Sequence, residues 1–322
     1  MPFDPNNSAL REQLLPDHPL VKKSFIAFTP SIEWAYQQIR DLIWLSAPSM
    51  YFNSVPRMGK THCAKALVDV IRSEFPDRYV VLVSADVAGS EGVMKTIAGR
   101  IGLFMKAREN LVSIREKVLT HISCELSSIN GSHFVLIVDE MQCLKIQDYQ
   151  QLQVLQNRLS IDGINMTNVG FAQTDINSVR SSLILGENTA VVARFLSGRV
   201  DFQGCQNSSW LTETLRGFDE DLIYPPHSEC SYTNFFLPQA FSNGFRLNNS
   251  ADLIYTRAKN CIGTFAKSEI PTAHLFAALG YMMIAARSQD TCDFELTEKM
   301  VDAALAKSGM ASFAKLMGGQ HE

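Results

Sequence analysis

The amino-acid sequence predicts an α/β fold built on a parallel sheet, and three observations carry this prediction. A phosphate-binding motif occupies residues 54–61, and an apolar run at residues 134–140 ends in two carboxylates. Between and beyond them, short runs rich in β-branched residues alternate with amphipathic helical patterns. Strands that alternate with helices in this way imply a three-layer parallel sheet with right-handed crossovers. We therefore expect a three-layer domain with a ligand site at the carboxyl ends of its strands.

The individual elements follow in order along the chain. Thr29 and Pro30 supply a cap and a first-turn proline for a helix whose apolar residues, from Ile32 to Ile43, share one face. A long helical region is expected between residues 93 and 119. The other predicted elements are strands at residues 79–85, 134–140, 168–175 and 199–202, and helices at residues 62–75, 147–159 and from 176 through 185 and beyond.

The phosphate-binding motif fits the pattern G-x-x-x-x-G-K-[ST] at every defined position except the first. Backbone amides of such a loop converge on nucleotide phosphates, and the helix that begins near His62 turns its positive end toward the same charge. Lys60 is expected to reach the β- and γ-phosphates, and the Thr61 hydroxyl to bind Mg²⁺. The predicted loop consists of Ser54, Val55, Pro56, Arg57, Met58, Gly59, Lys60 and Thr61.

The apolar run at residues 134–140 reads as a fully buried parallel strand that ends in Asp139 and Glu140. Two carboxylates at the tip of a buried strand are costly unless a cation or a bound water uses them. Asp139 can hold the water shell of Mg²⁺, and Glu140 can polarise an attacking water. Loop and strand together predict a site for ATP and Mg²⁺ and an ATPase activity.

Ser54 is a departure from the usual loop, in which glycine takes the first position. A serine fits there if its φ is negative. Pro56 and Arg57 stiffen and charge a segment that is usually small, and Arg57 can add a phosphate contact. Slow turnover is the expected consequence.

Composition limits the classes of function. A length of 322 residues suggests about two domains, and a net charge of −4 argues against a nonspecific coat for nucleic acid, although it leaves room for a local basic surface. The seven cysteines are scattered, which is typical of a reducing cytoplasm. The pairs His121/Cys124 and His227/Cys230 have zinc-ligand spacing, but they lie on segments that look unrelated. Because no apolar stretch reaches signal-peptide or membrane-span length, we expect a cytoplasmic protein without a membrane partner.

The predicted helical region between residues 93 and 119 is rich in cations. One interpretation is a solvated helix face, and the other is a basic surface that faces DNA. Glu109 and Glu116 are the acids of this region. The cations are Lys95, Arg100, Lys106, Arg108, Arg115 and Lys117, of which Lys95, Lys106, Arg108 and Arg115 are the candidate DNA contacts.

These motifs, from about Trp44 to Arg257, resemble the AAA+ ATPase module, and more narrowly the TnsC/TniB ATPases that regulate target choice in Tn7-like transposition. The resemblance implies that Gln173 or Thr174, at the end of a strand, acts as the first sensor of the γ-phosphate. It also implies that Arg194, in an Ala-Arg-Phe segment, is the arginine finger offered to a neighbouring subunit. Arg199 is the rival for that role.

The last part of the chain, after an acidic cluster and a Pro-Pro break, is expected to form a small helical lid domain with helices at residues 272–287 and 297–316. Arg246 resembles the second sensor of AAA+ lids, although a plain surface arginine is the alternative. The predicted division is an N-terminal extension at 1–30, an AAA+ nucleotide-binding domain at 31–214 and the lid at 215–322.

The favoured function is an ATP-dependent oligomeric regulator of DNA transposition, which assembles on double-stranded DNA as a ring or filament. Its expected partners are a transposase and target-selector proteins. A signalling or defence NTPase that switches protein interactions without DNA is the alternative. A small-molecule phosphotransferase is disfavoured, because the sequence offers no acceptor pocket.

Overall fold

The fold is that of a computed structural model, which describes residues 3–85, 91–263 and 269–318. The chain divides into two compact units. Residues 32–56 and 60–202 form the first, called the sheet unit here. Residues up to 31, 57–59 and from 203 onward form the second, called the helical unit.

The elements are given in chain order. The strands are β1 (Ser49–Asn53), β2 (Arg78–Ser84), β3 (His133–Asp139), β4 (Asn165–Ala172) and β5 (Arg199–Asp201). The helices are α1 (Ser8–Leu14), α2 (Pro19–Lys22), α3 (Pro30–Trp44), α4 (Lys60–Glu74), α5 (Val93–Arg100), α6 (Leu111–Ser128), α7 (Ile146–Ile161), α8 (Ile176–Leu185), α9 (Thr189–Phe195), α10 (Ser208–Glu220), α11 (Tyr232–Phe236), α12 (Pro238–Ser242), α13 (Ala251–Ile262), α14 (Thr272–Ala286), α15 (Glu298–Ser308) and α16 (Met310–Gly318).

The sheet unit is built on five parallel strands in the order β2-β3-β4-β1-β5. Every residue of β3 is buried, which confirms the interpretation of its continuous apolar run. Residues of α5, α6 and α7 pack with Phe134, Leu136 and Val138 on one face of the sheet. On β1, Phe52 stacks on Phe171 and meets Trp34 of α3. The predicted three-layer parallel architecture is therefore confirmed.

Two regions that the sequence predicted as continuous helices are each divided into two helices. The region between residues 93 and 119 is two helices, α5 and α6, with a loop at residues 101–110. Gly102, at φ +75°, turns the chain after α5, and the Asn110 side chain accepts the N–H of Ser113 to cap α6. The predicted helix at residues 297–316 is likewise interrupted by Gly309, at φ +73°.

The N-terminal residues belong to the helical unit. Arg11 Nη1 donates to the Phe235 carbonyl (3.2 Å), and the Tyr224 hydroxyl donates to the Leu14 carbonyl (3.1 Å). His18, fully buried, is surrounded by the rings of Tyr224, Tyr232, Phe235 and Phe236, at centroid distances of 4.4–4.8 Å. These compact units differ from the division at residues 30 and 214 that we drew from the sequence, and residue 214 lies inside α10.

No helix among the described residues combines the length and the apolar character that crossing a bilayer demands.

Candidate nucleotide-binding site

The phosphate loop joins the carboxyl end of β1 to the amino end of α4, as the sequence predicts. Gly59 has φ +100° and Arg57 has φ +67°, so the loop uses glycine at one of its two left-handed positions. The φ of Ser54 is not positive, and serine therefore fits the first loop position without backbone strain. The Ser54 N–H donates to the carbonyl of Ala172 at the end of β4 (3.3 Å).

Lys60 folds back onto the start of the loop. Its ammonium donates to the Ser54 carbonyl (2.9 Å), the Ser54 hydroxyl (2.8 Å) and the Val55 carbonyl (2.9 Å). An ammonium has three N–H donors, so all three are engaged within the loop. Burial lowers the pKa of Lys60 to about 8, against the opposing influence of the Glu140 and Asp139 carboxylates.

Asp139 ends β3 beside the amino end of α4. Its carboxylate accepts hydrogen bonds from the Thr61 hydroxyl and from the N–H of Glu140. Burial nevertheless raises the pKa of Asp139 above its usual value. Two residues that the sequence assigned to Mg²⁺ are thus brought together.

A hydroxyl and one carboxylate fit the way Mg²⁺ is held in nucleotide sites. Magnesium prefers oxygen ligands and usually takes one or two from protein, with phosphate oxygens and waters completing its shell. Within the described part of the chain, no group of three or more His, Cys, Asp or Glu side chains could hold a metal ion. The Thr61 hydroxyl and the Asp139 carboxylate match the one or two protein oxygens that Mg²⁺ takes in such sites.

Glu140 follows the strand in a left-handed conformation, at φ +55°. Its Oε2 accepts hydrogen bonds from the side-chain amides of Gln142 and Gln173, the latter at 3.0 Å. The Gln142 side-chain oxygen in turn accepts the N–H of Gln173 (3.0 Å). Hydrogen bonds among these three residues thus connect the carboxyl ends of β3 and β4.

Sequence reasoning offered Gln173 or Thr174 as the first sensor but missed Gln142 and Asn53. Gln142 lies in a single 3₁₀ turn of three residues, which is too short to leave a periodic pattern in the sequence. Asn53 is buried at the end of β1, and its amide can donate to the Gln173 carbonyl (3.1 Å) while accepting from Arg199 (3.2 Å). Its place as the last strand residue before the loop was the signal that could have identified it.

The two candidate arginine fingers lie at opposite ends of the parallel strands. The Ser49 hydroxyl, at the amino end of β1, donates to the Arg194 carbonyl. Arg194 is half-buried, and its guanidinium donates to the Asn157 side-chain oxygen (2.6 Å). Arg199 instead reaches Asp201 (2.8 Å) and Asn177, which begins the helix after β4. Arg199 therefore lies at the carboxyl ends of the strands, where the phosphate loop begins, and Arg194 lies near their amino ends.

Four predicted site residues, Arg57, Met58, Gly59 and Arg246, belong to the helical unit. Arg57 is exposed, and its carbonyl accepts the N–H of Ala273 in α14 (3.0 Å). The guanidinium of Arg246 donates to the carbonyls of Phe241 (2.9 Å) and Phe245 (2.7 Å) and lies 3.7 Å from the Phe241 ring centroid. Met58 is buried, whereas His62, on the first turn of α4, is exposed.

The cations predicted to lie on one helix face are distributed over two helices and a loop. Lys95 and Arg100 are exposed on α5, and Lys106 and Arg108 are exposed on the loop before α6. Arg115 and Lys117 are half-buried on α6. Arg115 donates to Gln151 (3.3 Å), and Lys117 forms an ion pair with Glu109 (2.7 Å).

The chain matches no established family pattern and no curated protein sequence. Solved structures do match it. One is Orc1 of Aeropyrum pernix, determined in complex with DNA, with a TM-score of 0.51 and 15% identity over 92% of this chain and 69% of that one. Another is Cdc6p of Pyrobaculum aerophilum, with a TM-score of 0.51 and 14% identity over 84% of this chain and 65% of that one. This chain thus spans about two thirds of the length of each.

At such low identity these matches show the fold alone. The chain has the fold of the AAA+ ATPases, with a three-layer α/β phosphate-loop domain and an additional helical part. The narrower resemblance to the TnsC/TniB regulators stays a prediction.

Proposed function

We propose that this protein is an ATP-dependent AAA+ ATPase that assembles with further copies of itself on double-stranded DNA and regulates transposition. One observation carries the nucleotide assignment. Lys60 and Thr61 begin α4 directly beside Asp139, the buried carboxylate at the end of β3, and Glu140 follows. A lysine, a hydroxyl and two acids around a helix amino end are the groups that nucleoside triphosphate hydrolysis requires.

Each of these side chains has a separate role. Lys60 binds the β- and γ-phosphates once its ammonium leaves the loop carbonyls, and the loop amides bind the same charge. Thr61 and Asp139 would hold the magnesium that accompanies ATP, and this ion would neutralise developing charge on the phosphates. Glu140 orients the attacking water, and Gln173, bonded to Glu140, is suited to respond to the γ-phosphate.

Assembly into an oligomer follows from the position of Arg194. Arg194 meets the amino end of β1, whereas Lys60 follows the loop at its carboxyl end. These ends of the five-residue strand are four residue steps apart, about 13 Å at roughly 3.3 Å per residue. Arg194 is therefore suited to the nucleotide of a neighbouring subunit and not to its own.

The DNA assignment is supported by exposed cations and by one neighbour. Lys95, Arg100, Lys106 and Arg108 are exposed on α5 and the following loop, and Orc1 of Aeropyrum pernix was determined in complex with DNA. We leave Arg115 out of the proposed surface, because its guanidinium is engaged by Gln151. The role in transposition, with a transposase and target-selector proteins as partners, rests on the sequence resemblance to the TnsC/TniB regulators.

Calorimetry on the purified protein tests the nucleotide assignment. ATP with Mg²⁺ is expected to bind the parent protein and not Lys60→Ala, whereas Lys65→Ala, which alters an exposed lysine one turn along α4, should bind as the parent does. Glu140→Gln should bind ATP but stall hydrolysis. Unchanged ATP affinity in Lys60→Ala would overturn the site.

Electron microscopy and salt titration test the DNA assignment. Rings or filaments that need both ATP and duplex DNA support it, whereas assembly on ATP alone would favour the protein-interaction switch. Charge reversal of Lys106 and Arg108 to Glu should lower the salt slope of DNA binding by roughly two, since each phosphate contact contributes about 0.9. The same reversal at Lys299 and Lys307, exposed on α15, serves as the matched control. Equal slopes in both double variants would remove the loop from the DNA surface.

A further inference from the structure

We propose that the Ser54 hydroxyl is a built-in competitor for the phosphate-binding lysine, which holds the Lys60 ammonium inside the loop and weakens nucleotide binding. This inference rests on the proposed nucleotide site. It assigns a role to the one loop position at which the sequence departs from the phosphate-binding pattern.

The Lys60 ammonium has three hydrogen-bond acceptors within the loop. Of its three acceptors, the carbonyls of Ser54 and Val55 belong to the backbone and are present whatever the side chains are. The third acceptor, the Ser54 hydroxyl at 2.8 Å, exists only because the first loop residue is serine. A glycine there would leave the ammonium with two partners and one donor directed to an incoming phosphate.

The hydroxyl is held in place for this contact. Its own hydrogen is donated to the Val55 carbonyl (3.1 Å), so its lone pairs remain for Lys60. The Ser54 backbone is anchored to the end of β4 through the Ala172 carbonyl (3.3 Å). Because Lys60 is 7% exposed, water competes poorly for the bond between hydroxyl and ammonium.

Binding of a triphosphate requires the ammonium to exchange partners. A phosphate oxygen can be bound only when at least one internal hydrogen bond is given up, and each bond given up reduces the net affinity. A hydrogen bond contributes about 0.5–1.5 kcal/mol net, which corresponds to roughly a 2- to 13-fold change in a dissociation constant. Removal of the hydroxyl should therefore tighten ATP binding by about 2- to 13-fold.

The test compares Ser54→Ala with Ser127→Ala in the full chain. Ser127 is exposed on α6, and its hydroxyl bonds the Ser123 carbonyl (2.7 Å), so its change is a matched loss of one hydroxyl far from the loop in sequence. Calorimetry with ATP and Mg²⁺ is expected to show tighter binding in Ser54→Ala and parent affinity in Ser127→Ala. ATP affinity in Ser54→Ala that equals or falls below that of the parent would overturn the inference.

A second readout needs no nucleotide. Acylation of Lys60 by acetic anhydride, followed by peptide mass spectrometry, is expected to be faster in Ser54→Ala than in the parent, because the ammonium is held by fewer acceptors. Equal acylation rates at Lys60 would contradict the inference even if ATP binds. Conversely, absence of ATP binding in the parent, with faster Lys60 acylation in Ser54→Ala, would refute the nucleotide site and leave the Lys60 contact standing.

Discussion

The buried His18 is predicted to make the helical unit sensitive to acid. Its Nδ1 accepts the N–H of Leu20 (3.1 Å), and the rest of its ring faces the four aromatic side chains described above. Burial lowers the pKa of His18 from 6.5 to about 3. The neutral ring is therefore strongly favoured in the folded protein, whereas the unfolded chain takes up a proton below pH 6.5.

The magnitude follows from the unfolded chain, because His18 in the folded protein stays neutral until pH approaches 3. At pH 5 the unfolded histidine lies 1.5 pKa units below its midpoint, and each unit corresponds to about 1.4 kcal/mol. The free energy of unfolding should thus fall by about 2 kcal/mol between pH 7.5 and pH 5 because of His18 alone. His133, buried in the sheet unit with its pKa lowered to about 4, should contribute a loss of the same sign.

Urea unfolding followed by circular dichroism at the two pH values measures this effect. His18→Asn retains a side-chain acceptor for the Leu20 N–H but cannot titrate, so it should be less stable at pH 7.5 and lose about 2 kcal/mol less than the parent on acidification. His227→Asn is the matched control, since His227 is exposed in the same unit and its left-handed backbone suits asparagine. Equal losses in the parent and His18→Asn would refute the reasoning.

Three further predictions concern the sheet unit. Gln142→Ala should lower kcat for ATP about 10-fold with little change in ATP affinity, because Glu140 loses one of the two amides that orient it; an unchanged kcat in a steady-state assay would remove that role. Arg194→Ala should bind ATP but not hydrolyse it, and mixing it with Lys60→Ala should restore part of the turnover; a mixture as inactive as its components would argue against a finger in trans. Gly170→Ala should destabilise the protein by about 1–3 kcal/mol in urea unfolding, since its Cβ would lie 2.1 Å from the sulfur of the methionine after Glu140; a stability equal to the parent's would show that this methionine relaxes freely.

The sheet unit could be predicted because its signals are local. The strand that ends at Asp139 is buried on both faces, so it is a continuous apolar run that the sequence displays directly. The proximity of Thr61 and Asp139 also followed, because the carboxyl ends of parallel strands meet at one edge of a sheet. Predicted strands and the loop therefore sufficed to bring together the phosphate-binding residues and the acids.

The features that the sequence did not reveal depend on single turns or on contacts between residues distant in sequence. The break between α5 and α6 depends on a left-handed Gly102 and on the Asn110 cap, and a run of cations and apolar residues masked both. His18 lies in a polar segment that read as an extension, because its aromatic neighbours are distant in sequence. Gln142 carries no helical or strand periodicity, so its bond to Glu140 appears only when the turn is folded.

The arrangement of the sheet unit bears on how the proposed ATPase would be regulated. The proposed phosphate-binding groups and the proposed finger lie at opposite ends of the same strand, so one subunit cannot direct both to one nucleotide. In the proposed mechanism hydrolysis requires a neighbour, and ATP at the subunit junction stabilises assembly. Because such coupling is reciprocal, assembly on DNA would then strengthen ATP binding by the same factor by which ATP strengthens assembly. An unassembled subunit, with Lys60 held by its own loop and without the Arg194 of a neighbour, would bind ATP weakly and hydrolyse it slowly.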